Sequence, residues 1–134
     1  MLYEVTASYV TIDKGNDKVV KVKFMVNNCE TFASAECTGY EYLDGQTDLD
    51  IVSIKRSNVK DIINHRTTAD ERIFLAEVVD TQTNDEGEEV ELVYKVLLYA
   101  KDTNDALSKV NEYLKQGFNM TVDSIKKTKF EEIL

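Results

Sequence analysis

The chain has 134 residues, of which 25 are acidic and 16 are basic, so its formal net charge at neutral pH is −9. This length predicts one domain, and a hydrophobic content of 43% excludes general disorder. The acidic balance argues against nucleic-acid binding by the whole surface, although it does not exclude a local basic patch.

The first predicted element is a β-hairpin. Apolar residues alternate with polar ones at the start of the chain, which predicts a strand with one buried face; they are Tyr3, Val5, Ala7 and Tyr9. A polar tip over residues 13–17 contains Gly15, a signal for a hairpin turn. The return strand is expected to turn Val20, Val22, Phe24 and Val26 inward and Lys21 and Lys23 outward.

A helix and a third strand follow this hairpin. Thr31 is a predicted N-cap, and Gly39 is expected to interrupt the helix before Tyr42. The third strand is predicted over residues 49–55, and a short helical turn is expected to begin at Ser57. Residues 64–71 are polar and are predicted to form a linker.

The second half repeats this order of elements. A strand around Phe74 and a tip over residues 84–87 lead to residues 90–100, whose two apolar faces predict a central position in a sheet. Asp102 is the predicted N-cap of a helix that Gly117 ends. Its apolar stripe comprises Ala106, Leu107, Val110, Tyr113 and Leu114. A third strand over residues 120–126 and a capping box over residues 128–131, which predicts another helical turn, close the half.

An offset of 71 positions aligns the two halves without a gap. It places Glu41-Tyr42-Leu43 on Glu112-Tyr113-Leu114, Ser53-Ile54-Lys55 on Ser124-Ile125-Lys126, and Val22 on Val93. The alignment predicts an α+β fold built by internal duplication of a ββαβ unit, with antiparallel-rich sheets, one helix per repeat and pseudo-twofold symmetry. The predicted organisation is a single domain, 1–134, with repeat 1 at 1–63, a linker at 64–71 and repeat 2 at 72–134.

Residues that carry catalytic chemistry are scarce. His65 is the only histidine, and no nucleophile or orienting acid stands at a recognisable spacing from it. Cys29 and Cys37 belong to no cluster with zinc-ligand spacing. The acidic tip over residues 85–89 lacks the alternating oxygen ligands of a calcium loop. We therefore expect a non-enzymatic protein without a cofactor or a metal site.

Two basic clusters occur at the same position of both halves. They are Lys55-Arg56-Ser57 and Lys126-Lys127-Thr128, each placed where a strand ends and a capped helical turn is expected. Backbone N–H groups at a helix N-terminus favour anions. The clusters therefore predict a nucleic-acid-binding surface, which Lys60, Lys129, Lys21 and Lys23 would extend and on which Tyr9, Tyr40 or Tyr99 would stack bases. The alternative is that these lysines are only solvent-exposed charges at the ends of strands and bind no ligand.

The C-terminal segment, residues 130–134, allows two interpretations. Its acidic and hydrophobic residues resemble the tail tips with which bacterial single-strand DNA-binding proteins recruit partners. Under the offset of 71, however, it corresponds to internal residues 59–63, which favours packing on the core.

Three segments of the sequence resemble segments of a family of small uncharacterised proteins from Bacteroides-group gut bacteria and their tailed phages. They are Tyr3-Glu4-Val5, Phe32-x-x-Ala35-Glu36 and the run from Ile54 to Ile63, IKRSNVKDII. Members commonly carry a tryptophan next to the first aromatic residue of each half, where this chain has Leu2 and Ile73. The resemblance implies a phage or mobile-element context, and no established activity or site residue comes with it.

These observations favour two functions. The first is a non-enzymatic protein that binds nucleic acid, single-stranded DNA in the first place, through a β-sheet face and the paired basic clusters. The second is an acidic module that binds another protein, such as a phage-encoded modulator of a host factor that mimics nucleic acid. No apolar run has the ~18 residues of a membrane helix, and the N-terminus lacks a signal-peptide pattern. With only two cysteines, we expect a cytoplasmic protein without a membrane partner.

Overall fold

The computed structural model describes residues 1–115 and 120–134, and within them the fold is α+β. Two four-stranded sheets and two helices confirm the predicted class. In chain order the elements are β1 (Tyr3–Asp13), β2 (Asn16–Val26), α1 (Phe32–Tyr42), β3 (Thr47–Arg56), β4 (Asp61–Ile62), β5 (Arg72–Thr83), β6 (Glu89–Ala100), α2 (Thr103–Leu114), β7 (Met120–Lys127) and β8 (Phe130–Ile133). Gly117, the predicted end of the second helix, lies outside the described residues.

The chain forms two compact units. Unit 1 comprises Met1–Asn58 and Lys129–Leu134, and its sheet has the order β3-β1-β2-β8. Unit 2 comprises Val59–Thr128, and its sheet has the order β4-β6-β5-β7. β6 lies between β4 and β5, but β4 pairs only with Val96 and Leu97, so the central position predicted for residues 90–100 is confirmed for that part of the strand alone. The repeat boundaries and the pseudo-twofold symmetry stay predictions.

The core of unit 1 lies between one face of its sheet and α1. Successive side chains of a strand point to opposite faces. Of the four residues predicted to face inward on β1, Tyr3, Val5 and Ala7 are fully buried, and Tyr9 is partly buried against the same core. Phe24 and Val26 of β2 join this core with Ala35 of α1. The Oγ1 of Thr31 accepts a 3.0 Å hydrogen bond from the backbone N–H of Ser34, which confirms the predicted N-cap.

Gly39 does not interrupt α1, contrary to the sequence prediction. The helix continues to Tyr42, and Gly39 is buried against the sheet. A Cβ atom at this position would lie 3.1 Å from Cδ1 of Ile51 and 3.3 Å from the ring of Phe24. The glycine therefore allows a close approach between helix and sheet, and packing outweighs its low helix propensity.

The core of unit 2 lies between the inward face of its sheet and α2. Phe74, Ala76 and Val78 of β5 are buried with Ala106, Val110 and Leu114 of α2. Asp102 is the N-cap, since its Oδ1 accepts a 2.7 Å hydrogen bond from the backbone N–H of Asp105. Leu107, which was predicted to belong to the apolar stripe, is 41% exposed, so the buried stripe is narrower than expected.

The gapless alignment of the two halves is wrong along the second strand of each hairpin. Tyr3 pairs with Val26, but Phe74 pairs with Leu98, which lies 72 rather than 71 positions beyond Val26. The physical reason is the loop: only residues 14 and 15 separate the paired ends of β1 and β2, whereas residues 84–88 separate those of β5 and β6. As a result Val22 packs on the core of unit 1, while Val93 is 58% exposed.

Strands replace the two predicted helical turns at Ser57 and Thr128. In unit 2, β4 pairs in parallel with β6, and the N–H of Lys60 donates to the carbonyl of Lys95 at 2.8 Å. In unit 1, β8 pairs in parallel with β2, and the N–H of Leu134 donates to the carbonyl of Met25 at 2.8 Å. Strands form here in place of helical turns because β8 and β4 supply hydrogen-bond partners to backbone groups of β2 and β6, which outweighs the local capping pattern.

Each sheet is therefore completed by a strand that follows the other half of the sequence. β4 follows the elements of unit 1 and belongs to unit 2, and β8 follows those of unit 2 and belongs to unit 1. Leu134 packs against the core of unit 1, which supports core packing of the C-terminal segment over a free tail.

Candidate nucleic-acid interface

Three of the predicted lysines lie on the same face of the sheet in unit 1. Lys21 and Lys23 of β2 pair with Ser8 and Thr6, and Lys55 of β3 pairs with Glu4. Paired residues share a face, and these alternate with the inward residues of β1, so all three lysines point away from α1. We call Lys21, Lys23 and Lys55 the lysine face.

The spacing within the lysine face follows from sheet geometry. Lys21 and Lys23 are two residues apart on one strand, which separates their Cα atoms by about 6.6 Å. Lys23 and Lys55 lie on either side of β1, so about 9.6 Å separates their strands. All three side chains are exposed, and none forms an ion pair with any carboxylate of residues 1–115 and 120–134.

A small cleft of about 60 Å³ opens between two of these lysines. It is lined by Glu4, Thr6, Lys23, Ser53, Lys55 and Phe130, which come from all four strands of the sheet. The hydroxyls of Thr6 and Ser53 can donate hydrogen bonds to an anion. The carboxylate of Glu4 opposes such an anion, so it is the one unfavourable charge in the cleft.

The two basic clusters of the sequence are each divided between two faces of a sheet. Lys55 pairs with Glu4 on the face opposite α1, whereas Arg56 pairs with the buried Tyr3 on the face that carries α1. In unit 2, Lys126 pairs with Leu75 and Lys127 pairs with the buried Phe74, with the same consequence. Neighbours along a strand alternate in direction, so neither cluster forms one continuous patch.

The predicted anion sites at helix N-termini are wrong. No helix begins at Ser57 or Thr128, and their backbone N–H groups are already bonded within their own units. The N–H of Ser57 donates to the carbonyl of Leu2 at 2.8 Å. The N–H and the Oγ1 of Thr128 both donate to the carbonyl of Ile73, at 3.0 and 2.8 Å. Neither residue offers its backbone N–H to a phosphate.

The other predicted site residues do not belong to the lysine face. In unit 2 the ammonium of Lys60 lies 3.6 Å from the centre of the Tyr94 ring, a cation–π contact. Lys129 is exposed directly before β8 in unit 1. Among the tyrosines considered for stacking, Tyr99 is only 3% exposed, so that expectation is wrong, and Tyr9 packs against the core. Tyr40, at 40% exposure, is on the surface.

A buried charge lies in the predicted linker, and no local sequence pattern indicated it. Glu71 is 1% exposed, and its Oε1 accepts hydrogen bonds from the backbone N–H groups of Thr67 (2.6 Å) and Thr68 (3.1 Å). Its Oε2 accepts a 2.8 Å hydrogen bond from the ammonium of Lys109 in α2. The bond from Lys109, followed by those from Thr67 and Thr68, lowers the pKa of Glu71 to about 2.

Lys109 is held by three acceptors in unit 2. Besides Glu71 it contacts Asp105 Oδ2 at 3.0 Å and the carbonyl of Tyr99 at 3.2 Å. Burial alone would lower the pKa of Lys109, but the hydrogen bonds to Glu71 and Asp105 outweigh burial and raise it. The i,i+4 spacing of Asp105 and Lys109 on α2 was the only local signal of this network, and it did not point to Glu71.

A second, larger groove lies in unit 2. Its volume is about 280 Å³, and it is lined by Ile63, Asn64, Lys109, Glu112 and Tyr113. The three N–H donors of Lys109 meet three acceptors, and the hydroxyl of Tyr113 donates to Asp61 Oδ2 at 3.0 Å. Burial, then the bond to Asp61, raises the pKa of Tyr113. The hydrogen-bond donors of Lys109 and Tyr113 are therefore already used by acceptors within unit 2.

None of the residues considered for catalysis or metal binding lines the cleft of unit 1 or the groove of unit 2. His65 is exposed, Cys29 is buried as a free thiol in the core of unit 1, and Cys37 is an exposed free thiol. In the part of the chain that the structure describes, no three His, Cys, Asp or Glu side chains are grouped to hold a metal ion. Neither α1 nor α2 has the length and apolar character needed to cross a membrane.

Comparison with known proteins places the chain in one family. No curated protein matches the sequence. A family model described as a domain of unknown function, DUF4494, matches residues 1–134. This agrees with the resemblance to small uncharacterised proteins, while the match carries no activity and no taxonomic origin. The chain belongs to the DUF4494 family.

Proposed function

We propose that the chain is a non-enzymatic protein that binds single-stranded nucleic acid, DNA in the first place, through the lysine face of unit 1. The observation that carries the proposal is the convergence of Lys21, Lys23 and Lys55 on one sheet face without an ion-pair partner in the described chain. Unpaired exposed ammonium groups attract phosphates and release their condensed counterions.

The surroundings of the lysines fit a phosphate backbone. Thr6, Ser8 and Ser53 lie between the lysines, and hydroxyls of this kind commonly contact phosphate oxygens. Phe130 lines the cleft and pairs with Lys23, so an aromatic residue of the same sheet stands beside the lysines. The three lysines are spread over two strands on one face of the sheet, a spacing that can contact successive phosphates of an extended single strand.

Charge reversal with a matched control tests the proposal. Replacing Lys21, Lys23 and Lys55 by glutamate should abolish binding of a labelled oligothymidylate of about 16 nucleotides in fluorescence anisotropy. The control replaces Arg56, Lys126 and Lys127 by glutamate, because it changes the net charge equally at residues outside the lysine face. Equal losses in the two variants would show that net charge, not this face, governs binding.

The cellular context is also part of the proposal. We propose that the protein acts in the cytoplasm of Bacteroides-group gut bacteria or during infection by their phages. The two cysteines are free thiols, which fits a reducing compartment. Fractionation of a host strain before and during phage infection would test this context, and recovery of the protein outside the cytoplasmic fraction would contradict it.

A second candidate function is an acidic module that binds a host protein. It is favoured by exposed carboxylates that cluster on the hairpin of β5 and β6, none of which forms an ion pair within the described chain; they are Asp85, Glu86, Glu88, Glu89 and Glu91. Absence of oligonucleotide binding at low salt would favour this candidate over the first.

A further inference from the structure

One half of β6 has an unpaired edge. β5 pairs with β6 along its whole length, but β4 covers only Val96 and Leu97 on the opposite side. The carbonyls of Lys95 and Leu97 point to the β4 side, since they accept hydrogen bonds from the N–H groups of Lys60 and Ile63.

The direction of these carbonyls identifies the free backbone groups. The N–H and C=O of one strand residue point to the same side, and alternate residues share that side. Glu89, Glu91 and Val93 therefore direct their N–H and C=O groups to the open edge. Within residues 1–115 and 120–134 none of these groups has a partner. Unpaired strand edges of this kind are templates for another strand.

The side chains along this edge define what the added strand should carry. Val90 and Leu92 are 37% and 38% exposed and share the face that carries α2. Glu89 and Glu91 point to the opposite face, followed by the exposed Val93. Cross-strand neighbours on one face interact directly, so a complementary strand places apolar residues beside the valine and leucine and basic residues beside the two glutamates.

We propose that the segment from Glu89 to Val93 binds an extended peptide of a partner protein by strand addition, and that this peptide alternates apolar with basic residues. Main-chain hydrogen bonds supply affinity in this mode of recognition, and alternate side chains supply specificity. An acidic strand is rejected, because like charges opposite each other on a sheet are destabilising.

The same edge already accepts a strand further along. β4 pairs with Val96 and Leu97, and Asn64 then extends the pairing with its side chain. Its Oδ1 accepts from the N–H of Tyr99 at 2.7 Å, and its Nδ2 donates to the carbonyl of Tyr99 at 2.9 Å. An added peptide would pair with the open segment of β6 from Glu89 to Val93, next to the segment that β4 and Asn64 already cover.

The inference is independent of nucleic-acid binding by the lysine face. It rests on the second candidate function, to which it gives a defined surface and a defined class of partner. The two are separable by experiment, because an acidic surface can attract a basic peptide without forming a strand.

Peptide binding tests the charge and the pattern together. The probe is a labelled six-residue peptide that alternates valine and lysine, compared with one that alternates valine and glutamate and one that carries the same valines and lysines in two blocks. We expect binding of the first alone. Replacing Glu89 and Glu91 by lysine should weaken it about tenfold or more, whereas the matched change at Asp85 and Glu86 should have a smaller effect. Equal binding of the block peptide would overturn the proposal.

A proline variant tests the backbone contacts. Glu91→Pro removes an N–H that faces the open edge, and proline is tolerated at edge positions of that kind, so the sheet should persist while peptide binding is lost. Glu91→Ala removes the charge but keeps the N–H, and it should still bind. Unchanged binding by Glu91→Pro would overturn strand addition and leave only an acidic surface.

Amide exchange in the unmodified protein decides the question if Glu91→Pro fails to fold. The amides of Glu91 and Val93 should exchange rapidly in the free protein and slowly with the valine–lysine peptide. Those of Val90 and Leu92, which face β5, should be protected in both states. Rapid exchange at Glu91 and Val93 under saturating peptide would contradict the proposal.

Discussion

The hydroxyl of Tyr42 donates a 2.9 Å hydrogen bond to Oε1 of Glu131, although 89 positions separate the two residues in the chain. Tyr42 ends α1, and Glu131 belongs to β8, so the bond joins the helix of unit 1 to its closing strand. Tyr113 and Asp61 make the corresponding bond between α2 and β4 at 3.0 Å. In both units the helix is thus hydrogen-bonded to the strand that comes from the other half of the sequence, β8 in unit 1 and β4 in unit 2.

The first prediction concerns this closing strand. Removing residues 129–134 should destabilise unit 1, because it deletes β8 and the packing of Leu134 on the core. The amide of Asn27, which donates to the carbonyl of Leu134 at 2.9 Å, should lose its protection from hydrogen exchange. Amides in the centre of β5 and β6 serve as the internal control. Retained protection at Asn27 would show that β8 does not form in solution.

The second prediction concerns the buried stripe of α2. Leu114→Ala should destabilise the protein by roughly 2–5 kcal/mol, because Leu114 is 8% exposed in the core of unit 2. Leu107→Ala on the same helix should change stability by less than about 0.5 kcal/mol, since Leu107 is 41% exposed. Urea unfolding measures both, and similar losses would place Leu107 in the core as well.

Local sequence patterns predicted the regular elements but not their long-range pairing. Alternation along β1 identified the buried face of Tyr3, Val5 and Ala7, and Thr31 and Asp102 marked the helix N-termini, since both signals act over a few residues. The closing strands were missed because a capping box at Thr128 is also local, whereas β8 is stabilised by β2, far away in the sequence.

The candidate site was predicted only in part for a related reason. Lys21, Lys23 and Lys55 were identified, but adjacency in the sequence suggested that Arg56 belongs beside Lys55, whereas the strand sends it to the other face. The second hairpin is one residue longer than the first, which shifts the register of β6 by one position relative to β2. The connection from β6 to Asp102 is correspondingly shorter and restores the offset of 71, so the alignment shows no gap. Glu71 was hidden because its partners lie on a distant helix and in its own loop.

The third prediction concerns acid stability. The pKa of Glu71 is about 2 in the folded protein and 4.5 is its ordinary value. A carboxyl whose pKa is lowered by folding stabilises the protein above the unfolded value and loses that contribution as the pH falls towards the folded one. Hydrogen bonds from the N–H of Lys101 and from Lys109 also lower the pKa of Asp105. Stability measured by urea unfolding should therefore fall as the pH decreases from about 4.5 to about 2.

Glu71→Gln should flatten this pH dependence and reduce stability at neutral pH, because Lys109 loses a charged partner inside unit 2. The control is Glu112→Gln, which removes only an exposed ion pair with Lys115 and should have little effect. If Glu71→Gln shows the same acid profile as the unmodified protein, other carboxyl groups govern the transition.

The fourth prediction concerns Glu4 in the cleft of unit 1. Glu4→Gln should strengthen oligonucleotide binding by a few fold, because it removes the one negative charge lining the cleft beside Lys23 and Lys55. Glu36→Gln, which changes the net charge equally on the exposed surface of α1, is the matched control for anisotropy titrations. Weaker binding by Glu4→Gln would mean that phosphate does not occupy the cleft.

The salt dependence of single-strand binding tests the lysine face most directly. Each phosphate contact contributes about −0.7 to the slope of log affinity against log salt on single strands, so three lysines predict a slope of about −2. The variant with glutamate at positions 21, 23 and 55 should show no measurable binding, and the control with glutamate at 56, 126 and 127 should keep the slope. Absence of binding by the unmodified protein at low salt, or a slope near zero, would contradict nucleic-acid binding through Lys21, Lys23 and Lys55.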